Sequence, residues 1–360
     1  MSEPFFSILL PTKNRAEIVA GAIESVLTQT CGDFELIVSD NDDSPTDTRD
    51  SVARFSDPRL RYFRTSGNLA MHENWEFARR QAKGKWVLIV EDKQRLSRTA
   101  LATLKPVCEA HPDAIVTYPP VLAFADLLPG PTETARTQIF TCEETVEHFC
   151  RFTARFWEIF PRGLTSATPR TMLDDIERTS PTGLVFSWVN PDYSYGFQAL
   201  SRARELVYVA DDIIYVPLSV GRAGKYSNGL AATRKEGPAK RFFASLPVGE
   251  QEMLKGLPVR SVWLWVNPVL FDFYKFYHRP GHAPQVDWVS YHAQCIHIIL
   301  VGREWGADMS AETQAVRDSL RKLGLWFTIR VLLLTGFRSA RGLFLRLVNL
   351  IRHRRESKRQ

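Results

Sequence analysis

Residues 85–96 read KWVLIVEDKQRL, and this stretch decides how the chain folds. The mostly apolar run over 85–90 predicts a strand that is buried on both faces, as in parallel sheets covered by helices. Two carboxylates, Glu91 and Asp92, follow at the end of the strand, where a metal-binding loop would begin. Lys93 and Arg95 then stand where further oxygen ligands would be expected. The stretch predicts a central strand and leaves the chemistry of its loop open.

Similar apolar runs occur on both sides of this strand. They are FFSILL (5–10), FELIVS (34–39), LRYFR (60–64) and AIVTY (114–118). Residues at helical spacing lie between them, over 18–27, over 69–82 and from about 97 to 110. Repeated β-α-β units predict an α/β fold in which helices sandwich a mostly parallel sheet. In such folds ligands bind beyond the carboxyl ends of the strands.

Three of these predicted strand ends lead into polar loops. The loops are PTKNR (11–15), SDNDDSPTD (39–47) with Asp40 at its mouth, and EDK (91–93). Carboxylates can accept hydrogen bonds from a base or a ribose, and cations can bind phosphates. Each loop alone would suit any α/β protein, but three on one sheet edge favour a nucleotide site.

From about Phe6 to Gly229 the chain resembles the inverting family 2 glycosyltransferases, nucleotide-diphospho-sugar transferases of the Rossmann-like GT-A fold. The resemblance lies in SILLPTKNR, ELIVSDNDDSPTD, NLAMHENWEFARRQAKGKWVLIVED and PDYSYGFQAL. It implies a GT-A domain over 1–229, with a nucleotide-binding half (1–120) and an acceptor half (121–229). It also implies a hexosyltransferase that moves a sugar with inversion from a nucleotide-sugar donor, above all a UDP-sugar. The acceptor would be a hydroxyl of a glycan or of a lipid-linked molecule.

The resemblance also implies roles for single residues. Asp192, in NPDYS, matches the general base, because inversion needs a carboxylate opposite the leaving diphosphate. The alternative for Asp192 is a helix N-cap after Pro191. Asp40 matches the carboxylate that contacts the base of the nucleotide. The first loop would lie beside the nucleotide through Pro11, Thr12, Asn14 and Arg15.

The EDK loop departs from the family pattern. Glu91 takes the place of the first Asp of D-x-D, and Lys93 takes the place of the second, which is normally the direct metal ligand. An ammonium group cannot ligate Mg²⁺ or Mn²⁺. Lys93 could instead stabilise the departing diphosphate as a metal would. The further cation that this needs would be Arg95, or Arg222 or Lys225 in the glycine-rich stretch GRAGKYSNG (221–229), whose backbone could form an anion nest.

Three hypotheses for this loop stay open at the level of sequence. In the first, Glu91 or Asp92 holds Mg²⁺ or Mn²⁺ while Lys93 binds a phosphate. In the second, Lys93 replaces the metal. In the third, the chain is a catalytically silent protein that binds a nucleotide-sugar or a glycan and is attached to the membrane surface. A zinc motif is not expected at His72 and Glu73, because Glu76 stands where H-E-x-x-H requires the second histidine.

The C-terminal third differs in composition. Residues 230–257 are predicted to be a linker, and 258–360 a helical, aromatic-rich region that ends in a basic amphipathic tail. From Arg338 onward eight Lys and Arg residues face one acid, Glu356, so this segment carries +7 while the whole chain carries +6. Five apolar residues of the tail share one helical face: Leu343, Phe344, Leu347, Val348 and Ile351. Such a helix suits an anionic membrane surface, or it packs on its own domain.

The sequence also argues against several classes of protein. No apolar run reaches roughly 18 residues, so no membrane-spanning helix is expected. The N-terminus lacks a basic region and a small-residue cleavage site, and the five cysteines form no C-x-x-C pair. Both features fit a cytoplasmic protein, with the tail at the cytoplasmic face of the membrane. No nucleic-acid reading module accompanies the basic charge, so nucleic acid is not an expected partner.

Overall fold

The computed structural model describes residues 3–43, 48–123, 130, 134–217, 220, 234–235 and 237–338. The chain divides into two compact units. The first unit comprises 1–149, 153–230 and 269–284, and the second comprises 150–152, 231–268 and 285–360. The domain boundaries drawn from sequence at 229 and 257 stay predictions. Arg222, Lys225 and the tail over 339–360 lie outside the described residues.

The strands of the described chain all belong to the first unit. They are β1 (Phe6–Thr12), β2 (Phe34–Asp40), β3 (Leu60–Arg64), β4 (Trp86–Ile89), β5 (Arg95–Leu96), β6 (Ile115–Thr117), β7 (Pro120–Ala123), β8 (Thr137–Thr141), β9 (Ser166–Pro169), β10 (Glu205–Val209) and β11 (Ile214–Pro217).

The helices follow in chain order. They are α1 (Ala16–Leu27), α2 (Thr48–Ala53), α3 (Met71–Arg80), α4 (Ala100–Ala110), α5 (Cys142–Cys150), α6 (Ala154–Ile159), α7 (Arg170–Thr179), α8 (Pro191–Leu200), α9 (Gly237–Ser245), α10 (Glu250–Met253), α11 (Val266–Phe276), α12 (Trp288–Glu304) and α13 (Ser310–Leu323). A 3₁₀ turn spans Gly163–Thr165, and residues 325–338 are helical. Helices α9 and α10 lie within the stretch predicted to be a linker.

The main sheet has eight strands in the order β3-β2-β1-β4-β9-β6-β10-β8, and β5, β11 and β7 form a second, smaller sheet. The pairs among β3, β2, β1 and β4 are parallel, as is the pair of β6 with β10. Strand β9 runs antiparallel between β4 and β6, and β8 is antiparallel to β10. The predicted α/β fold with a mostly parallel sheet and a helical C-terminal region is confirmed.

The apolar runs explain why the strands form where they do. Every residue of β1, β2 and β4 is buried, as expected for strands covered on both faces. Helix α1 packs one apolar face inward through Ile18, Val19, Ala22, Ile23 and Val26. A Cβ on Gly84 would come within 2.6 Å of the backbone nitrogen of Ser7, so only glycine fits where the chain enters β4.

Two predicted elements differ from the structure. The stretch over 142–157, whose sequence pattern suggests one helix, forms two helices, α5 and α6, because the side chain of Thr153 caps a new helix by accepting from the Phe156 N–H. The first strand does not stop at Pro11. Pro11 pairs with Ser39 and Thr12 with Asp40, so β1 reaches the sheet edge at Thr12.

The second unit is helical in its described part. Tyr291 of α12 is fully buried and donates a hydrogen bond to Oδ1 of Asn267 at 2.7 Å. His292 is also buried, with its ring nitrogens bonded to the carbonyl of Trp288 and the hydroxyl of Ser319. Part of the aromatic content of this region thus lies in a packed core. Within the described residues, no helix combines the length and the apolar character needed to cross a membrane.

Candidate active site

The carboxyl ends of β1, β2 and β4 meet at one edge of the main sheet. Thr12 and Asp40 are opposite each other in the β1–β2 register. Helix α3 fastens these ends through Asn74, whose Oδ1 accepts from the hydroxyl of Ser39 at 2.5 Å. The structure therefore brings the loop after β1, the loop after β2 and the EDK loop together, as the parallel sheet predicts.

Asp92 is the buried centre of this edge. Its Oδ2 accepts from the hydroxyl of Thr12 at 2.9 Å, and its Oδ1 accepts from Nη1 of Arg15 at 2.8 Å. The side chain of Asp92 is only 4% exposed. Burial raises the pKa of Asp92, while the charge and hydrogen bond of Arg15 oppose that rise. Thr12 and Arg15, predicted to lie beside the nucleotide, are thus partners of this carboxylate.

Lys93 and Glu91 form an ion pair next to Asp92. Nζ of Lys93 lies 2.9 Å from Oε2 of Glu91, and about a fifth of each side chain is exposed. The backbone N–H of Glu91 donates to Oε1 of Gln94 at 2.9 Å, which closes the loop on itself. Part of the Lys93 side chain therefore remains exposed beside its partner Glu91.

Arg95 does not provide the second phosphate-binding cation that the sequence suggested. Its guanidinium is buried and donates to the carbonyls of Asp92, Gln94 and Ile18 at 2.7 to 3.2 Å. The side chain turns inward because it belongs to β5, behind the loop. The guanidinium of Arg95 therefore stabilises the EDK loop by binding backbone carbonyls on its buried side.

The donor set at this edge does not fit a divalent cation as it stands. Both carboxylate oxygens of Asp92 are occupied by the protein's own donors, and Glu91 is paired with Lys93. In the part of the chain that the structure describes, no group of three or more His, Cys, Asp or Glu side chains is arranged to hold a metal ion. The metal roles of Glu91 and Asp92 stay predictions.

Asp40 is fully buried, and each of its oxygens has a partner. Oδ2 accepts from the hydroxyl of Tyr62 at 2.6 Å and from Nη1 of Arg64 at 2.8 Å, and Oδ1 accepts from the backbone N–H of Asp42 at 2.9 Å. Tyr62 and Arg64, each of which is half-buried, therefore lie between the carboxylate of Asp40 and solvent.

The remaining predicted site residues of the first loop, Pro11 and Asn14, differ in burial and in conformation. Pro11 is buried inside β1, whereas Asn14 is exposed, in a left-handed conformation with φ of 55°. The backbone N–H of Asn14 donates to a carboxylate oxygen of Asp42. Its side-chain amide donates to Asp43 at 2.8 Å. Asn14 thus joins the first loop to the second.

Asp192 lies in the first turn of α8, and its side chain points away from that helix. Asn190 is the N-cap residue, and Oδ1 of Asp192 accepts from the backbone N–H of Leu164 at 3.0 Å. The N-cap interpretation of Asp192 is therefore wrong. A Cβ on Gly163 would come within 3.4 Å of the same oxygen, so the 3₁₀ turn is closely packed on the carboxylate.

The antiparallel strand β9 explains why this carboxylate lies near the EDK loop. Leu88 of β4 pairs with Ala167 of β9, so the start of β9 meets the end of β4. The 3₁₀ turn that binds Asp192 directly precedes β9. Sequence periodicity alone could not reveal this neighbourhood, because it depends on a strand inserted between β4 and β6.

Burial raises the pKa of Asp192 to about 6. The positive charges of Arg162 and Lys93 and the Leu164 N–H oppose this rise, and the negative charge of Glu91 adds to it. Asp192 as a whole residue is half-buried. A carboxyl group with this pKa can accept a proton near neutral pH.

An aromatic wall flanks Asp192, and sequence reasoning missed it. Trp75 and Phe186 are in edge-to-face contact with centroids 5.4 Å apart, and both approach Gly163. Glu76 fixes this wall, because its Oε1 accepts from the backbone N–H groups of Val185 and Phe186 at 2.6 and 2.7 Å. The sequence feature that could have indicated this wall is the glutamate directly after Trp75 on α3.

A second missed group lies behind the start of α8. Asp272 is fully buried, and its Oδ2 accepts from the side-chain amide of Asn190 at 3.1 Å. Its Oδ1 is buried without a hydrogen-bond partner in the described chain. Burial raises the pKa of Asp272 well above its usual value. Asp272 and Asn190 together support the turn that presents Asp192.

With this geometry established, comparison with known proteins identifies the sheet-edge region. Residues 7–160 match the sequence model of the family described as glycosyl transferase family 2. These residues carry the sequence pattern of that family and make up less than half of the chain. The matched part contains all three loops and ends just before Arg162, so Asp192 lies beyond it.

Among the curated relatives that the chain resembles, two illustrate the range. A PGL/p-HBAD biosynthesis glycosyltransferase from Mycobacterium tuberculosis (strain ATCC 25177 / H37Ra) is 40% identical over 60 residues, 17% of this chain and 23% of the relative. A GalNAc(5)-diNAcBac-PP-undecaprenol beta-1,3-glucosyltransferase from Campylobacter jejuni is 35% identical over 104 residues, 28% of this chain and 33% of the relative. The matched stretches thus span a third or less of each relative.

Solved structures resemble the chain over more of its length and at low identity. The structure of S. aureus TarS 1-349 in complex with UDP-GlcNAc is 15% identical, with a TM-score of 0.48, over 82% of this chain and 80% of that one. A mannosyltransferase from Pyrobaculum calidifontis in complex with GDP-Man and Mn2+ is 14% identical, with a TM-score of 0.47, over 93% and 86% of the two chains.

Proposed function

We propose that the chain is a glycosyltransferase that moves a sugar with inversion from a nucleotide-diphosphate donor to a hydroxyl of a glycan or lipid-linked acceptor. The observation that carries this proposal is the position of Asp192. A shielded carboxylate with its pKa raised to about 6 lies close enough to Glu91 and Lys93 to respond to their charges. One group of this kind beside a phosphate-binding edge is what an inverting transfer needs.

Asp192 acts as the general base in this mechanism. The Leu164 N–H holds Oδ1, which fixes the orientation of the carboxylate and leaves Oδ2 to take the proton of the acceptor hydroxyl. The oxygen of that hydroxyl then forms the new bond to the anomeric carbon as the bond to the diphosphate breaks. Arg162, whose charge lowers the pKa of Asp192, keeps enough of the carboxylate ionised near neutral pH.

Lys93 stabilises the departing diphosphate. It is the cation of the EDK loop that remains partly exposed, since Arg95 is buried below the loop. Arg162 is a second positive charge near Asp192 and takes the role that the sequence gave to Arg95. An ammonium and a guanidinium supply the two positive charges that a divalent metal would bring. The silent-binding alternative has no specific observation in its favour.

The donor is proposed to be a UDP-sugar, and Asp40 is proposed to bind its base through Tyr62 and Arg64. An E. coli relative supports the choice of UDP, because its name describes a UDP-Glc:alpha-D-GlcNAc-diphosphoundecaprenol beta-1,3-glucosyltransferase. That name and the undecaprenol in the C. jejuni relative's name favour a lipid-linked acceptor. The matched stretches cover only part of those proteins, so donor and acceptor are proposals for this chain.

The test is a transfer assay with UDP-glucose and with UDP-N-acetylglucosamine, each with and without a polyprenyl-diphosphate-linked saccharide. We expect UDP release that depends on the acceptor, and a product whose new linkage is inverted relative to the donor by NMR. A product with the donor's anomeric configuration would refute inversion. UDP binding without turnover on any of these acceptors would favour the silent-binding alternative.

A further inference from the structure

The last described helix, residues 325–338, presents large apolar side chains to solvent. Trp326 is 80% exposed, Leu333 69% and Phe337 65%. Their spacing of seven and four residues puts them along one side of the helix. Leu325 and Leu332 are also exposed and extend this surface. These five residues are called the apolar face.

The opposite side of this helix is held in the second unit. Val331 is fully buried, and the ring of Phe327 lies 5.2 Å from that of His292 in α12. Nη2 of Arg338 donates to the carbonyl of Arg151 and the hydroxyl of Ser290 at 3.2 and 3.3 Å. The helix therefore has a docked side, and the apolar face is the side turned outward.

The surrounding charge indicates what covers the apolar face. Arg330 is exposed on the same helix, and the sequence over 339–360 adds seven Lys and Arg residues against one acid, Glu356. A second copy of this chain would bring two such basic segments together and repel. An anionic lipid surface satisfies both features, because headgroups attract the cations while the headgroup boundary accepts Trp, Leu and Phe.

We propose that the apolar face of helix 325–338 docks on an anionic membrane surface, with Trp326, Leu333 and Phe337 inserted at the headgroup boundary. Arg330, exposed on the same helix, adds a positive charge beside this contact. This inference goes beyond the proposed function and does not depend on it. It also differs from attachment by the basic tail alone, since here a described helix supplies the apolar contact.

Co-sedimentation with lipid vesicles tests this proposal. The full chain should bind phosphatidylcholine vesicles that contain phosphatidylglycerol and should stay in solution with pure phosphatidylcholine. Leu333→Glu and Phe337→Glu should each weaken binding roughly tenfold or more, because each removes one large apolar side chain from the contact. Ile139→Glu is the matched control. Ile139 is 56% exposed on β8 in the first unit, so this variant should bind as the wild type does.

A second readout locates the contact. Brominated lipid should quench a fluorescence component in the wild type that is missing in Trp326→Phe. All variants should bind UDP like the wild type, which keeps this result separate from any failure of the proposed function. The proposal fails if the wild type does not bind anionic vesicles, or if Leu333→Glu and Phe337→Glu together leave vesicle binding unchanged. It also fails if light scattering gives a dimer that Leu333→Glu converts to a monomer.

Discussion

Two carboxylates at the candidate site, Asp92 and Asp192, are treated in opposite ways by the fold. Asp92 has a protein donor on each oxygen, from Thr12 and from Arg15. Asp192 has one backbone N–H on one oxygen and a pKa raised to about 6. The charge of Asp92 is thus compensated by protein donors on both oxygens, while that of Asp192 is compensated less fully.

This contrast shows that the fold compensates the charges of the two carboxylates to different degrees. At the end of β4, Arg15 pairs with Asp92 and Lys93 pairs with Glu91. At the start of α8, burial without full compensation raises the pKa of Asp192 and makes it a stronger base than an exposed aspartate. The different burial and pairing of Asp92 and Asp192 therefore suit them to different roles in the proposed reaction.

The largest expected effect on activity comes from removing the carboxylate of Asp192. Asp192→Asn should lower the turnover number by roughly 10²- to 10⁴-fold, because the side-chain amide can accept a hydrogen bond but cannot take the proton. The transfer assay measures this loss. UDP binding by the same variant, followed by calorimetry, should stay close to that of the wild type. Turnover that survives in Asp192→Asn would end the assignment of the base.

Removing the cation that pairs with Asp92 should mainly lower the stability of the fold. Arg15→Ala leaves the carboxylate of Asp92 buried without its ion pair, which costs about 3–5 kcal/mol in the free energy of unfolding. Lys13→Ala on the same loop is the control. Lys13 and Asp43 lie 3.2 Å apart and are 39% and 45% exposed, so breaking this pair should lower the free energy of unfolding far less than Arg15→Ala does. If urea denaturation gave equal losses of unfolding free energy for Arg15→Ala and Lys13→Ala, the special role of the buried Asp92 pair would be contradicted.

The activity of the wild type should depend on pH through Asp192. Only the deprotonated carboxylate is a base, so below a pH of about 6 the rate should fall roughly tenfold per pH unit, and above it the rate should level off. Asp192→Asn should lack this inflection. A wild-type profile with its inflection near the ordinary pKa of an aspartate would mean that burial does not tune this group.

A smaller and more selective effect is expected from Glu91→Gln. Loss of this carboxylate frees Lys93 and removes a charge that raises the pKa of Asp192. UDP should therefore bind a few-fold more tightly, on the scale of one partly exposed ion pair, and the pH inflection should move to lower pH. If Glu91 were a metal ligand, the same variant would bind UDP more weakly in the presence of Mn²⁺.

The sequence predicted the parts of the site that lie within local patterns. Strands β1, β2 and β4 are continuous apolar runs, so their ends and the loops that follow could be located from periodicity. Asp192 was found through the family resemblance. The inward turn of Arg95 and the pairing of Asp92 could not be predicted, because they depend on how β5 and the loop after β1 pack around one buried carboxylate.

Other parts depend on contacts between distant segments. Glu76 binds the backbone at Val185 and Phe186, and Asn190 binds Asp272, so each pair joins elements about a hundred residues apart in the chain. No local spacing encodes such pairs. The position of Glu76 directly after Trp75 in the amphipathic helix α3 was a visible sign of such a contact. Its partner could not be identified without the fold.

The most direct test of the contrast is calorimetric titration of UDP into the purified protein, once with Mn²⁺ and once with excess EDTA. If the protein's own cations neutralise the diphosphate edge, UDP binds with the same affinity in both experiments. Binding that requires Mn²⁺ would contradict this account, because Glu91 or Asp92 would then have to give up its present partner to hold the ion.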